Sequence, residues 1–89
     1  MLIVDDLLLE KAKTALEAAD ASAECTVSAP LASPYGALRL AVFAGESGDR
    51  LAEEARKKRH LTLDGRGFRV IADLTTQLGR GETLLVEPA

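Results

Sequence analysis

Over residues 4–22, VDDLLLEKAKTALEAADAS, apolar side chains recur at helical spacing, with Leu8, Ala12, Ala15, Leu16 and Ala19 on one stripe. Leu7 and Leu9 widen that stripe, and Asp5 or Asp6 can cap the helix by accepting its free first-turn amides. The period then drops to two. AECTVSAP, residues 23–30, predicts a short strand, with Cys25 and Val27 on one side and Glu24, Thr26 and Ser28 on the other. Pro30 and Pro34, with Gly36 after Tyr35, predict a loop. ALRLAVFAG, residues 37–45, is apolar on both sides apart from Arg39, which predicts a strand at or near the middle of a sheet.

ESGDRLAEEARKKRH, residues 46–60, returns to helical spacing. Leu51, Ala52 and Ala55 give it only a thin apolar stripe, so a surface helix is expected, preceded by a turn at Ser47-Gly48. HLTLDGRGFRVIADL, residues 60–74, predicts a β-hairpin. Leu61 and Leu63 alternate with Thr62, and Asp64-Gly65 is a turn dipeptide in which both residues tolerate positive φ. Phe68, Val70 and Ala72 are expected on one face of the returning strand. TTQLGRGE, residues 75–82, predicts a second turn region, and TLLVEP, residues 83–88, a last strand. The order α-β-β-α-β-β-β does not alternate as βαβ units do. It predicts an α+β fold, a small single domain over residues 1–89 with a mostly antiparallel sheet.

Composition narrows the chemistry. In 89 residues there is no Trp, and the aromatics are Tyr35, Phe43 and Phe68, so aliphatic side chains must make the core. One cysteine, Cys25, excludes an internal disulfide, and with a single histidine, His60, it excludes an autonomous Cys/His zinc site. Asp5 and Asp6 read as caps, not as metal ligands, and Cys25 as a small buried hydrophobe. No cofactor is expected. No apolar run reaches membrane-spanning length, and MLIVDD carries acids where a secretory signal would be basic. The expected location is a cytoplasm, or an assembled virion if the chain is phage-encoded.

The net charge of −3 is unevenly spread. Residues 1–49 hold three basic and eight acidic side chains, net −5, whereas residues 50–80 hold eight basic and four acidic, net +4. The loudest local signal is Arg56-Lys57-Lys58-Arg59-His60. It can serve as a phosphate grip. It also suits a helix C-terminus, where cations complement the dipole and Glu53–Lys57 and Glu54–Lys58 stand at ion-pair spacing. The interleaved aromatics of single-strand binders are missing. Arg66 and Arg80, in the G-R-G turns of DGRGF and LGRGE, are expected at turn tips, where a shared end of the sheet would give a basic rim. Arg56, Lys57, Lys58, Arg59, Arg66, Arg69 and Arg80 are therefore the candidate partner-contact residues.

Catalysis has little to stand on. His60 has no evident orienting partner. GESGD lacks the final glycine of a nucleophile elbow, because Asp49 stands there, and no Lys-Ser/Thr follows to make a phosphate loop. The chain is read as non-enzymatic.

Arg56, Lys57, Leu61, Thr62, Leu63, Phe68 and Val70, followed by Leu84, Leu85 and Val86, form a pattern of basic stretch, strand, glycine turn, F-x-V strand and final strand. This pattern resembles the closing segment of small head–tail joining (stopper-type connector) proteins of tailed bacteriophages, and the Ala-rich N-terminal helix before a T-V strand is similar in layout. The resemblance covers about half the chain. It implies a structural protein that docks as a ring on a portal complex, with portal or tail proteins or further copies of itself as partners. It transfers no catalytic residue. Arg59-His60 stands where that family has Gly-Asp, and the long channel-closing loop has no counterpart. Two alternatives remain open at this point: a small module that inhibits or regulates a partner protein, and a nucleic-acid-binding module using residues 56–60, 66, 69 and 80.

Overall fold

A computed structural model describes residues 5–18, 23–31 and 37–89. The expectations for Met1 to Val4, for the helix tail from Ala19 to Ser22, and for Pro34, Tyr35 and Gly36 lie outside the described residues.

Of the two candidate caps, Asp5 takes the role. Its Oδ1 accepts the Leu8 amide at 2.9 Å, and helix α1 runs Asp6–Ala18. Leu8, Ala12 and Leu16 are buried as the stripe requires. Leu7 does not widen that stripe: it is 59% exposed, because it falls outside the arc that α1 turns to the sheet, while Leu9 packs at the margin. Strands β1 (Cys25–Val27) and β2 (Arg39–Phe43) follow, then helix α2 (Gly45–Lys58), strands β3 (His60–Leu63) and β4 (Arg66–Asp73), a one-turn helix α3 (Thr75–Leu78) and strand β5 (Thr83–Pro88). The fold is α+β, with every strand pair antiparallel.

The sheet order is β1-β2-β5-β4-β3. β2 is next to the middle and β5, the last strand in sequence, is the middle itself. Accordingly Leu84, Leu85 and Val86 are fully buried. Helices cover both faces. On one face α1 and α3 pack Leu8, Leu16, Leu74 and Leu78 against Leu38, Leu40, Val42 and Leu85. On the other, α2 packs Ala52 and Ala55 against Ala41, Phe43, Phe68, Val70, Leu84 and Val86. Cys25 to Val27 and Leu63 with Asp64 belong to opposite edges of the sheet yet line one cleft, so the sheet curls around α2.

Three local expectations are corrected. Ser47-Gly48 is not a turn before α2 but part of its first turn, and Ala44 precedes the helix without a side-chain cap. Gly48 lies against the β1 entry and the end of β2, where a Cβ would stand 2.7 Å from the Glu24 carbonyl oxygen and 3.2 Å from the Phe43 carbonyl carbon. A glycine is what allows α2 to approach the sheet backbone. Secondly, Ala72 does not share a face with Phe68 and Val70. Val70 pairs with Val86 and Ala72 with Leu85, so Ile71 is an extra residue, a β-bulge, and the pattern beyond it is inverted. Ile71 and Ala72 both pack on the α1 side. Asp73, now opposite Leu84, turns to the α2 side. Thirdly, the second turn region is built around α3, whose Leu78, with Leu74 just before it, is buried under α1. The hairpin is as expected: Asp64 and Gly65 have φ of 51° and 77°.

Candidate functional site

The last turn of α2 carries Arg56, Lys57 and Lys58, and the helix closes at Arg59 in the left-handed conformation, φ 56°. The bulge in β4 determines what becomes of Arg56. Its Nε donates to Asp73 Oδ2 at 2.8 Å, its Nη2 donates to Thr75 Oγ1 at 3.1 Å, and the same Nη2 pairs with Glu82. Thr75 in turn accepts the Thr83 amide at 3.1 Å. One guanidinium thus ties α2 to the β4–α3–β5 connection. Burial pushes the Asp73 carboxyl up, but the hydrogen bonds from Thr75 and Arg56, with the Arg56 charge, outweigh it and hold the group below its ordinary value.

The rest of the basic stretch is also paired. Lys57 lies 3.5 Å from Glu53 and Lys58 2.7 Å from Glu54, one helical turn back. The Lys58 hydrogen bond holds the Glu54 carboxyl below its usual value. Arg69 donates from Nε to Glu87 across the β4–β5 pair at 2.8 Å. Arg80 reaches Glu17 of α1 at 3.8 Å. Five of the seven candidate residues are therefore in intramolecular ion pairs, and Arg59 and Arg66 are the two without one among the described residues. The basic rim does not form. Arg66 starts β4 beside the hairpin turn, near the Pro88 end of β5, while Arg80 precedes β5 at its Thr83 end. His60 is exposed, and its Nε2 lies 3.2 Å from Thr62 Oγ1, with no carboxylate oxygen within 4.0 Å of its ring nitrogens among the described residues.

Two of the concave regions formed by the described residues bear on function. A groove of about 600 Å³ runs between α1 and the β1–Pro30 segment, lined chiefly by Ala15, Ala18, Val27, Ala29, Pro30 and Leu31, with Lys11 at its margin. It adjoins β1, the edge strand whose outer side pairs with no strand among the described residues. A second cleft, about 430 Å³, opens between β1 and the β3–β4 hairpin and is lined by Cys25, Arg39, Asp64, Arg66 and Phe68 among others. Burial, then the negative charges of Glu24 and Asp64, push the Cys25 thiol up to about 11. It is a protonated thiol at neutral pH that packs against the α2-side core but is only half-buried, less than the reading as a buried hydrophobe expects.

Arg39 was legible only as the polar exception in a greasy strand. It lies on the α2 side of β2, with Nη1 donating to the Ser28 carbonyl at 3.1 Å and Nε buried without a partner among the described residues. The signal for it is in ALRLAVFAG itself: a single cation amid apolar neighbours in an interior strand must find compensation somewhere. No group of three or more acidic, His or Cys side chains that could hold a metal ion occurs among the described residues, and no described helix is long and apolar enough to cross a membrane. No protein-family model, no curated protein and no solved structure matches this chain.

Proposed function

We propose that this chain is a non-enzymatic protein-interaction module that engages its partner at the β1 edge and the adjoining groove. The observation that carries the reading is the apolar lining of that groove beside β1, which is an edge strand of the sheet among the described residues. An extended partner segment added to β1 would continue the sheet through main-chain hydrogen bonds and lay alternate side chains into the groove. The basic stretch supports the same reading by what it is not: three of its four cations, Arg56, Lys57 and Lys58, are matched by carboxylates of the same molecule, which reduces the counterion release that could drive binding to a nucleic acid.

The finer proposal is a head–tail connector component of a tailed phage, working as a ring on a portal complex. It rests on the resemblance of the hairpin and final strand. A ring needs a heterologous contact, and an exposed strand edge facing an unlike surface of the next copy is one way to supply it. The test is retention of partners by the tagged chain, compared with an Ala18→Arg variant, at an exposed position of the groove, whose melting temperature matches the parent. Retention of portal or tail proteins by the parent alone supports the connector. Retention of one non-virion protein, lost in the variant, keeps the interaction module and removes the connector. Retention unchanged by the variant removes the β1 site.

A further inference from the structure

We infer that the cleft between β1 and the β3–β4 hairpin is a binding site for a compact oxyanion, a carboxylate or a phosphate group. The inference does not depend on the groove beside α1. It begins from a contrast within the molecule. In a chain of net charge −3, Arg56, Lys57, Lys58, Arg69 and Arg80 are matched by carboxylates, whereas Lys13, Arg50 and Arg59 stand as separate exposed cations with no ion pair among the described residues. Arg39 and Arg66, from different strands, line one cleft and have no carboxylate oxygen within 4.0 Å among the described residues. Asp64 lines the cleft too, but it pairs with neither arginine.

The two guanidiniums differ in a useful way. Arg39 is half-buried and held by the Ser28 carbonyl, so its orientation is fixed before a ligand arrives. Burying a guanidinium without an opposite charge is costly, and an incoming anion recovers that cost. Arg66 is exposed and free to close over the ligand. The planar fork of exposed Arg66 matches two oxygens of a carboxylate or phosphate, and Arg39 adds a fixed positive charge beside it. Val27, Leu63 and Phe68 give the wall an apolar part beside Thr26 and Asp64, and water excluded there strengthens the attraction. Cys25 stays protonated beside the site and adds no competing negative charge. A ligand here would touch both β1 and the hairpin, so it would fasten together two edges of the sheet that do not pair with each other.

The test is a titration of the whole chain with inorganic phosphate and, separately, with succinate, each against sodium chloride at equal ionic strength. The readouts are the Nε–H resonance of Arg39 and the melting temperature. The expected result is a saturable shift of that resonance and a rise in melting temperature with at least one oxyanion, absent with chloride. The oxyanion that saturates at the lower concentration identifies the ligand group. Arg66→Ala, a change at an exposed position, is expected to weaken binding about tenfold, the loss of one charge-assisted bond. Arg39→Met is expected to abolish it; if that variant does not fold, Arg66→Ala decides. Shifts no larger than those with chloride, or unchanged affinity in Arg66→Ala, would overturn the assignment.

Discussion

The two faces of the sheet are packed by opposite means. On the α1 side the helices bring the bulk: Leu8, Leu16, Leu74 and Leu78 enter between the sheet's own leucines. On the α2 side the helix brings almost none. Gly48, Ala52 and Ala55 are its buried positions, and Phe43 and Phe68 of the sheet fill the space. A thin apolar stripe therefore does not mean a loosely held helix. It means that the partner surface supplies the volume, and that the helix can lie close against the strands. The first face is vulnerable to losing atoms and the second to gaining them.

That difference can be broken from either side. Leu16→Ala empties part of the α1 face and is expected to cost about 3 kcal/mol, read from urea or thermal unfolding. A much smaller loss would mean that α1 docks loosely and that the helix-supplied bulk is dispensable. Gly48→Ala adds one methyl to the α2 face. Helix propensity alone would stabilise by about 1 kcal/mol. The clash is with backbone of the β1 entry and β2, which cannot rotate away, so the expected outcome is a loss of about 2 kcal/mol. A gain in stability would show that α2 stands further from the sheet. The smallest effect concerns the polar margin of the α2 face. The Asp73 carboxyl is held below its ordinary 3.8, so its contribution is present above that value and disappears as pH falls through the lower folded one. The side chain is 46% exposed, so Asp73→Asn is expected to cost less than about 1 kcal/mol at neutral pH. The cost should fade in acid as pH falls through that lower folded value, beneath which the native side chain is protonated in both states. A penalty that persists there would assign the loss to hydrogen-bond geometry and not to charge.

What the sequence made readable was local. Asp64-Gly65 determines the hairpin turn because both residues accept positive φ, and nothing distant is needed. Leu8, Ala12 and Leu16 mark the buried stripe of α1 by spacing alone. What it concealed was set by contacts far along the chain. Val70-Ile71-Ala72 is apolar throughout, so alternation cannot say which residue is the extra one. Only pairing with Val86 and Leu85 shows it, and the orientation of Asp73 depends on the answer. α3 is too short to establish a helical period. Ser47 looked like a boundary because Gly48 follows it, whereas that glycine serves close packing inside the helix. At the candidate site, a basic stretch was visible, but the carboxylates that neutralise Arg56 and Arg69 lie at positions 73, 82 and 87. Charge counted along the chain overstated the charge presented to a partner.

The place of β5 in the sheet has a bearing on how the chain is made. Before residues 83–88 have left the ribosome, the sheet exists only as two separate ribbons, β1 with β2 and β3 with β4, each too small to be stable in water. Of the five described strands, the one that joins them is made after the other four. Assembly is then a single late event in which two preformed edges close on one incoming segment, and the nascent chain carries both edges open until that moment. Such a topology joins distant parts of the chain and favours slow, all-or-none folding, with exposure to chaperones and to neighbouring chains concentrated in the interval before β5 inserts.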